Sequence, residues 1–206
     1  MINKFLNAKH WQLFTLMFGI PILLQIIVMI SIFTNIDSNG NPDNTGIFNM
    51  MKIFPIIMFL YLGLFFGWFW STGIGLQKFI PTEINLKTNK FKIFFFIPLI
   101  YVCFLLVISA TTFYGFSSGS NAVGGIVGKM LFVVIPMHLL SMFSMFYLLY
   151  FISKTIKTIE LKRDVTFGDF AGEFFMIWFF PIGIWIIQPR INNILLKKYP
   201  NIRTNN

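Results

Sequence analysis

The hydrophobic residues of this chain are concentrated in four long runs, at residues 13–34, 53–76, 93–114 and 130–152. None of the four runs contains an Asp, Glu, Lys or Arg. An α-helix rises ~1.5 Å per residue, so each run is long enough to cross a hydrocarbon core of ~30 Å. The pattern therefore predicts four transmembrane helices.

The segments that follow the runs differ in polarity. Residues 35–51 are rich in Asn, Gly and Asp, residues 77–92 carry several Lys, and residues 115–128 are uncharged and rich in Gly and Ser. These compositions predict polar loops. Residues 153–163 are predicted to extend the fourth helix as a charged segment. We expect an all-α membrane protein, with an antiparallel four-helix bundle over residues 1–152.

The composition changes this picture little, but it excludes other classes of protein. A hydrophobic content of 56% with only 11% charged residues leaves too little polar surface for a water-soluble domain. The net charge of +9 does not indicate nucleic acid, because the basic residues form no stripe with interleaved aromatic side chains. They lie at the ends of the apolar runs, where anionic lipid favours them. The expected partner is the lipid bilayer, with a membrane-protein partner or a homo-oligomer as further possibilities.

Positive charge alternates between the connections. It is dense before the first run, between the second and third, and after the fourth, whereas the other two connections carry only Lys52 and Lys129. The dense positions are Lys4, Lys9, Lys78, Lys87, Lys90, Lys92, Lys154, Lys157, Lys162 and Arg163. By the positive-inside rule, both termini should face the cytoplasm.

A fifth apolar run, at residues 174–187, is shorter than the others. Runs of roughly 10–14 residues are more typical of re-entrant or interfacial segments than of membrane spans. A fifth span would also move the basic residues that follow it to the opposite face, so charge favours re-entry. Pro181 and Gly183 supply a place for the helix to break. In a re-entrant segment Glu173 and Arg190 share one interface and can pair, whereas a span would separate them by ~30 Å.

The basic C-terminal part is predicted to lie on the membrane surface. In residues 191–199, Ile191, Ile194 and Leu195 share one helical face, and Asn and Lys residues occupy the other. This pattern is typical of a short amphipathic helix at an interface. Residues 153–206 are therefore interpreted as a charged extension, an aromatic re-entrant or interfacial segment and a basic tail of the same membrane domain.

The string EFFMIWFFPIGIWIIQPRINN, at residues 173–193, resembles a known signature. It is similar to the C-terminal segment of small four-span integral membrane proteins of uncharacterised function from Bacteroidota. In those proteins a WFFPIGIW core runs directly into a QPRIN-like end. The resemblance implies a multi-pass protein of the bacterial inner membrane, and it implies no particular activity.

Small residues recur every four positions in the second run, at Gly63, Gly67, Ser71 and Gly75. They align on one helix face and let a neighbouring helix approach closely. Packing within the monomer is the favoured interpretation, since three other spans are available as partners. A dimer interface and the wall of a narrow conduit are the alternatives.

Polar side chains inside the runs are few, and the candidate intramembrane polar site consists of Gln25, His138, Ser141 and Ser144. His138 shares a helical face with two Met residues, a combination that could bind Cu(I). A neutral His bonded to a helix carbonyl or to Gln25 is the favoured alternative. We therefore expect no metal and no cofactor.

No arrangement for catalysis is evident. Intramembrane hydrolysis by paired carboxylates lacks its acids, and a thiol-redox mechanism lacks a second cysteine beside Cys103. The protein is not expected to be an enzyme, and an intramembrane reaction that uses His138 ranks last. A scaffold or accessory subunit of an inner-membrane assembly ranks first. A small solute or ion transporter, or a channel subunit, is the alternative.

Overall fold

The fold is built from α-helices that pack around one apolar core. A computed structural model describes residues 1–34, 44–117 and 123–198, and these ranges contain no β-strand. The helices are α1 (Ile2–Asn7), α2 (His10–Phe14), a π-helical turn (Thr15–Gly19), α3 (Ile20–Thr34), α4 (Asn44–Gly75), α5 (Thr88–Ser117), α6 (Val123–Leu161), α7 (Phe167–Trp178) and α8 (Phe180–Lys198).

The described residues contain four helical segments long and apolar enough to cross a membrane. They are His10–Ser31, Ile57–Phe79, Thr88–Thr112 and Phe132–Leu161. Each overlaps one predicted run, so the prediction of an all-α membrane bundle is confirmed. The protein is an integral membrane protein in contact with the bilayer.

The helices extend into segments that were predicted as loops. α4 begins at Asn44, inside the polar segment 35–51, and α5 continues to Ser117. The rest of these two loops, at residues 35–43 and 118–122, lies outside the described residues. A peptide group without a hydrogen-bond partner is unfavourable near lipid, whereas a helix bonds its own peptide groups. This difference in free energy favours helices that continue beyond the apolar runs.

Aromatic contacts show that α5 and α6 run antiparallel. The ring of Phe91 near the start of α5 lies 4.7 Å from that of Phe151, late in α6. Tyr101, further along α5, contacts His138, which comes earlier in α6. The end of the bundle where α4 and α6 finish and α5 begins carries most of the described Lys residues. We call it the basic end.

The predicted charged extension of the fourth helix is confirmed, because α6 continues without a break past residue 152 to Leu161. Lys162 then adopts a left-handed backbone conformation, with φ 52°. Its N–H donates to the carbonyl of Thr158 at 2.9 Å, which closes the helix.

The fifth apolar run folds into two helical arms. α7 ends at Trp178 and α8 begins at Phe180, and the chain bends at Phe179 with φ −85° and ψ 57°. The predicted break at Pro181 and Gly183 is thus placed too late. Pro181 fits the first turn of α8, where its missing N–H leaves no hydrogen bond unmade. We refer to α7, Phe179 and α8 as the C-terminal hairpin.

Glycine permits the two arms of the C-terminal hairpin to approach closely. A Cβ atom added at Gly183 would overlap the backbone carbonyl of Met176 on the other arm. The bend therefore needs a residue without a side chain at this position.

The bend of the C-terminal hairpin lies beside the middle part of two membrane-spanning helices. The ring of Phe180 lies 5.2 Å from that of Phe65 and 6.0 Å from that of Phe18. Both partners are well inside their spans, Ile57–Phe79 and His10–Ser31. The apex of the hairpin is thus level with the interior of the bundle.

The amphipathic helix predicted for residues 191–199 is present, with Lys197 exposed opposite its apolar face, but it is not a separate surface helix. These residues, up to Lys198, are the second half of the continuous helix α8, and Tyr199 lies outside the described residues. Ile191 and Leu195 are buried in the core. Their apolar face packs against the protein because α1 and the bundle cover it.

Candidate functional site

A network of four charged side chains ties the C-terminal hairpin to α6. The side chain of Glu173 on α7 is only 6% exposed. Its Oε1 accepts hydrogen bonds from Lys157 Nζ at 3.0 Å and from Arg190 Nη2 at 2.7 Å. The predicted contact between Glu173 and Arg190 is present, and it joins the two arms of the hairpin.

Arg190 also binds a second carboxylate. Its Nε and Nη2 donate to Oε1 and Oε2 of Glu160 at 2.8 and 2.5 Å, a bidentate geometry that favours Arg over Lys. Lys157 Nζ lies 3.9 Å from Glu160 Oε2. We call Lys157, Glu160, Glu173 and Arg190 the Glu173 network. It holds two positive and two negative charges and is neutral overall.

The network favours the charged forms of Glu173 and Arg190. Burial alone raises the pKa of Glu173, but the hydrogen bonds from Lys157 and Arg190 and the charge of Arg190 outweigh burial and hold this pKa below its usual range. The hydrogen bond to Glu160 is the largest cause that raises the pKa of Arg190. Glu173 and Arg190 are therefore both ionised at neutral pH and attract each other.

Gln188 forms a second polar site, one that the sequence analysis missed. Its side chain is fully buried, and its Oε1 accepts a hydrogen bond from Trp68 Nε1 at 2.8 Å. Its Nε2 lies within hydrogen-bonding distance of the backbone carbonyls of Ala8 (2.9 Å), Phe5 (3.1 Å) and Leu6 (3.2 Å). An amide has two N–H groups, so these acceptors share them.

Asn192, one helical turn after Gln188, completes this site. Its Oδ1 accepts a hydrogen bond from Gln188 Nε2 at 3.0 Å, and its Nδ2 donates to the carbonyl of Ala8 at 3.2 Å. The carbonyls at the C-terminal end of a helix have no partner within that helix. Gln188 and Asn192 therefore cap α1 from α8. Their spacing of four residues was the signal available in the sequence.

The row of small residues on α4 packs against α1. A Cβ atom at Gly67 would lie 2.7 Å from Cζ of Phe5, and one at Gly75 would lie 2.5 Å from Cγ2 of Ile2. Packing within the chain was predicted, but a neighbouring span was expected as the partner. Ser71 is buried, whereas nothing lies within 4 Å of a Cβ at Gly63.

The members of the candidate intramembrane polar site have different surroundings in the structure. His138 Nδ1 lies 3.1 Å from the hydroxyl of Tyr101, a partner that the sequence analysis did not predict. Gln25 and His138 are both exposed, and Ser144 donates to the carbonyl of Leu140 in its own helix at 2.7 Å. Ser141 is buried.

No group of three or more His, Cys, Asp or Glu side chains among the described residues is arranged to hold a metal ion. The observed partner of His138 is the hydroxyl of Tyr101.

Comparison of this chain with protein-family models, curated protein sequences and solved structures gives no match. The resemblance of residues 173–193 to the signature from Bacteroidota stays a prediction. The function has to be inferred from the contacts described above.

Proposed function

We propose that this protein is a non-catalytic scaffold or accessory subunit of a bacterial inner-membrane assembly. In this proposal the bundle holds the C-terminal hairpin rigidly and presents its apex to a partner helix within the bilayer. The observation that carries the proposal is the division of the hairpin into a polar side bonded to the chain itself and an exposed aromatic side.

The polar side of the hairpin is bonded to other helices of the same chain. Glu173 and Arg190 belong to the Glu173 network, and Gln188 bonds to Trp68 and to α1. Polar groups in catalytic or transport sites need capacity left for a substrate, whereas these are committed to internal partners. They favour a structural role, which is to fix the hairpin in one orientation.

The opposite side of the hairpin is a surface of exposed apolar side chains. Phe175, Trp178 and Phe179 form a row of stacked rings, with centroids 6.0 and 6.3 Å apart. Phe179 is 63% exposed and Ile182 is 71% exposed. We call Phe175, Trp178, Phe179 and Ile182 the apex face. In a bilayer, helices associate by close packing instead of hydrophobic exclusion, so a rigid surface of fixed shape suits a partner helix.

The row of small residues on α4 gives no support to the alternative of a transporter or channel. Gly67 and Gly75 lie under side chains of α1, so these positions are not available to line a conduit. The basic end carries Lys residues of α1, of the α4–α5 connection and of α6, and this distribution supports a cytoplasmic position for that end and for both termini.

Affinity purification of the full chain from native membranes in mild detergent tests the proposal. We expect a stoichiometric membrane-protein partner with the natural sequence, and at least ~10-fold less of it with the double variant Phe179→Ala/Ile182→Ala. The matched control is Leu23→Ala/Ile27→Ala, which trims two equally exposed residues of α3. A monodisperse chain without a partner, or equal loss in both variants, would contradict the proposal.

A further inference from the structure

We infer that a cleft at the basic end binds the headgroup of an anionic phospholipid. The cleft has a volume of about 670 Å³ and lies between the segment that follows α4, the end of α6 and the second half of α8. This inference is independent of the proposed scaffold function, because it uses residues outside the apex face.

The charge of the cleft is positive once internal pairs are set aside. Glu160 and Arg190 line the cleft, but they neutralise each other within the Glu173 network. Lys162 and Lys197 also line it and are exposed. Among the described residues, neither of these lysines forms an ion pair with a carboxylate. An anion in the cleft would therefore meet two uncompensated ammonium groups.

The two aspartates that follow Lys162 in the sequence already form ion pairs with other residues. Asp164 pairs with Lys154 at 3.0 Å, and Asp169 pairs with Arg163 at 2.8 Å. Neither is free to neutralise Lys162. Basic pockets between helices at the headgroup level are typical binding sites for the phosphate groups of anionic lipids.

The remaining walls of the cleft are apolar, and they distinguish a lipid from a soluble anion. Phe79, Pro81, Ile159 and Ile194 line these walls. Phe79 is the last residue of the span Ile57–Phe79, and Ile159 lies in the last turn of the span ending at Leu161. The cleft thus lies where the hydrocarbon region gives way to headgroups. A phospholipid can place its phosphate by the lysines and its glycerol and acyl chains against these walls.

Native mass spectrometry of the full chain in detergent, titrated with phosphatidylglycerol or phosphatidylcholine, tests this inference. We expect preferential retention of phosphatidylglycerol, weakened at least ~10-fold in the double variant Lys162→Gln/Lys197→Gln, because each lysine close to the lipid phosphate contributes roughly fivefold to binding of an anionic lipid. The control Lys90→Gln/Lys92→Gln removes the same charge from exposed positions at the same end but outside the cleft. It should stay within ~2-fold of the natural sequence.

Two outcomes overturn the inference. Equal loss in both double variants would mean that overall charge, not the cleft, attracts the lipid. Displacement of phosphatidylglycerol by millimolar glycerol phosphate would identify a site for soluble anions instead. Should the cleft variant unfold, Lys197→Gln alone, at the exposed end of α8, provides the same comparison against Lys90→Gln.

Discussion

At the scale of single residues, the most informative side chains are the buried polar ones. Gln188 and Glu173 are buried in a chain that lipid surrounds, and each is bonded to partners from other helices. An unpaired buried polar group costs ~1–3 kcal/mol, and a buried charge costs more, so such residues persist only with fixed partners. Their positions report where the fold is held together.

Replacing Gln188 with Met tests its capping role, because Met has a similar shape but cannot bond to Trp68 or to α1. We expect a loss of about 2–3 kcal/mol, which lowers the midpoint of thermal unfolding in detergent by roughly 5–10 °C. Trypsin should also cleave faster after Lys4 and Lys9, since α1 is released. The matched control Gln25→Met changes an exposed amide of α3 and should leave both measurements unchanged. Equal behaviour of the two variants would refute the capping role.

Acid should weaken the fold through Glu173. Burial raises the pKa of Glu173 in the folded protein, but the hydrogen bonds from Lys157 and Arg190 outweigh burial, so the pKa is lowered overall. The ionised group therefore stabilises the fold above its ordinary pKa of about 4.3, and this contribution disappears as the pH falls through the lowered value. Unfolding midpoints measured from pH 7 to pH 3 should fall less steeply for Glu173→Gln than for the natural sequence.

A second carboxylate separates this effect from general acid sensitivity. The hydrogen bond from Arg163 is the largest cause that lowers the pKa of Asp169, to about 2. The ionised Asp169 should therefore stabilise the fold down to a lower pH than an ordinary Asp does. In the variant Asp169→Asn, the plot of unfolding midpoint against pH should become flatter mainly below pH 4. If Glu173→Gln keeps the full acid dependence of the natural sequence, the Glu173 network does not stabilise the fold.

At the scale of helices, the sequence predicts what lipid imposes and misses what tertiary contacts impose. The spans can be predicted from the apolar runs because a peptide group without a hydrogen bond is too unfavourable in lipid. An apolar run in lipid therefore folds as a helix, which bonds its own peptide groups. α1 has no comparable signal. A helix as short as Ile2–Asn7 is unstable alone and exists here because α4 and α8 hold it.

The C-terminal hairpin illustrates an intermediate case. Pro181 and Gly183 indicated a bend, yet the bend lies at Phe179, since Pro begins a helix as readily as it ends one. The contact of Glu173 with Arg190 followed from the idea of two arms at one interface. Lys157 and Glu160 were missed because they come from α6, and only their spacing of three residues hinted at a shared face.

Replacing Gly183 with Ala tests the close approach of the two arms. The added Cβ meets the backbone carbonyl of Met176, which cannot rotate away, so we expect a cost of about 1–3 kcal/mol in unfolding free energy. Gly172→Ala is the matched control on α7, where nothing lies within 4 Å of the added Cβ. There, Ala should stabilise the helix by roughly 0.5–1 kcal/mol. The same sign of change in both variants, measured by thermal unfolding, would contradict the geometry.

At the scale of the whole molecule, the two polar sites connect the beginning and the end of the chain. The Glu173 network joins α6, α7 and α8, and Gln188 joins α8 to α4 and α1. One apolar core accordingly includes Leu6, Ile152 and Ile191. Composition and charge predicted a membrane domain and its sidedness. They could not predict the contacts that join the two ends of the chain, because these contacts depend on which side chains meet across long sequence separations.

The contacts between the C-terminal hairpin and the rest of the chain predict the membrane topology of α8. If the C-terminal hairpin enters and leaves the bilayer on one side, Lys78, shortly after α4, and Lys197, near the end of α8, lie on the same side of the membrane. In a background with Cys103→Ser, single variants Lys78→Cys and Lys197→Cys should both resist a membrane-impermeant maleimide in spheroplasts and react in inverted vesicles. Ser120→Cys, in the connection predicted to be external, should show the opposite behaviour. Labelling of Lys197→Cys in spheroplasts would indicate that α8 crosses the membrane. It would also place Arg190 ~30 Å from Glu173, which is incompatible with their contact.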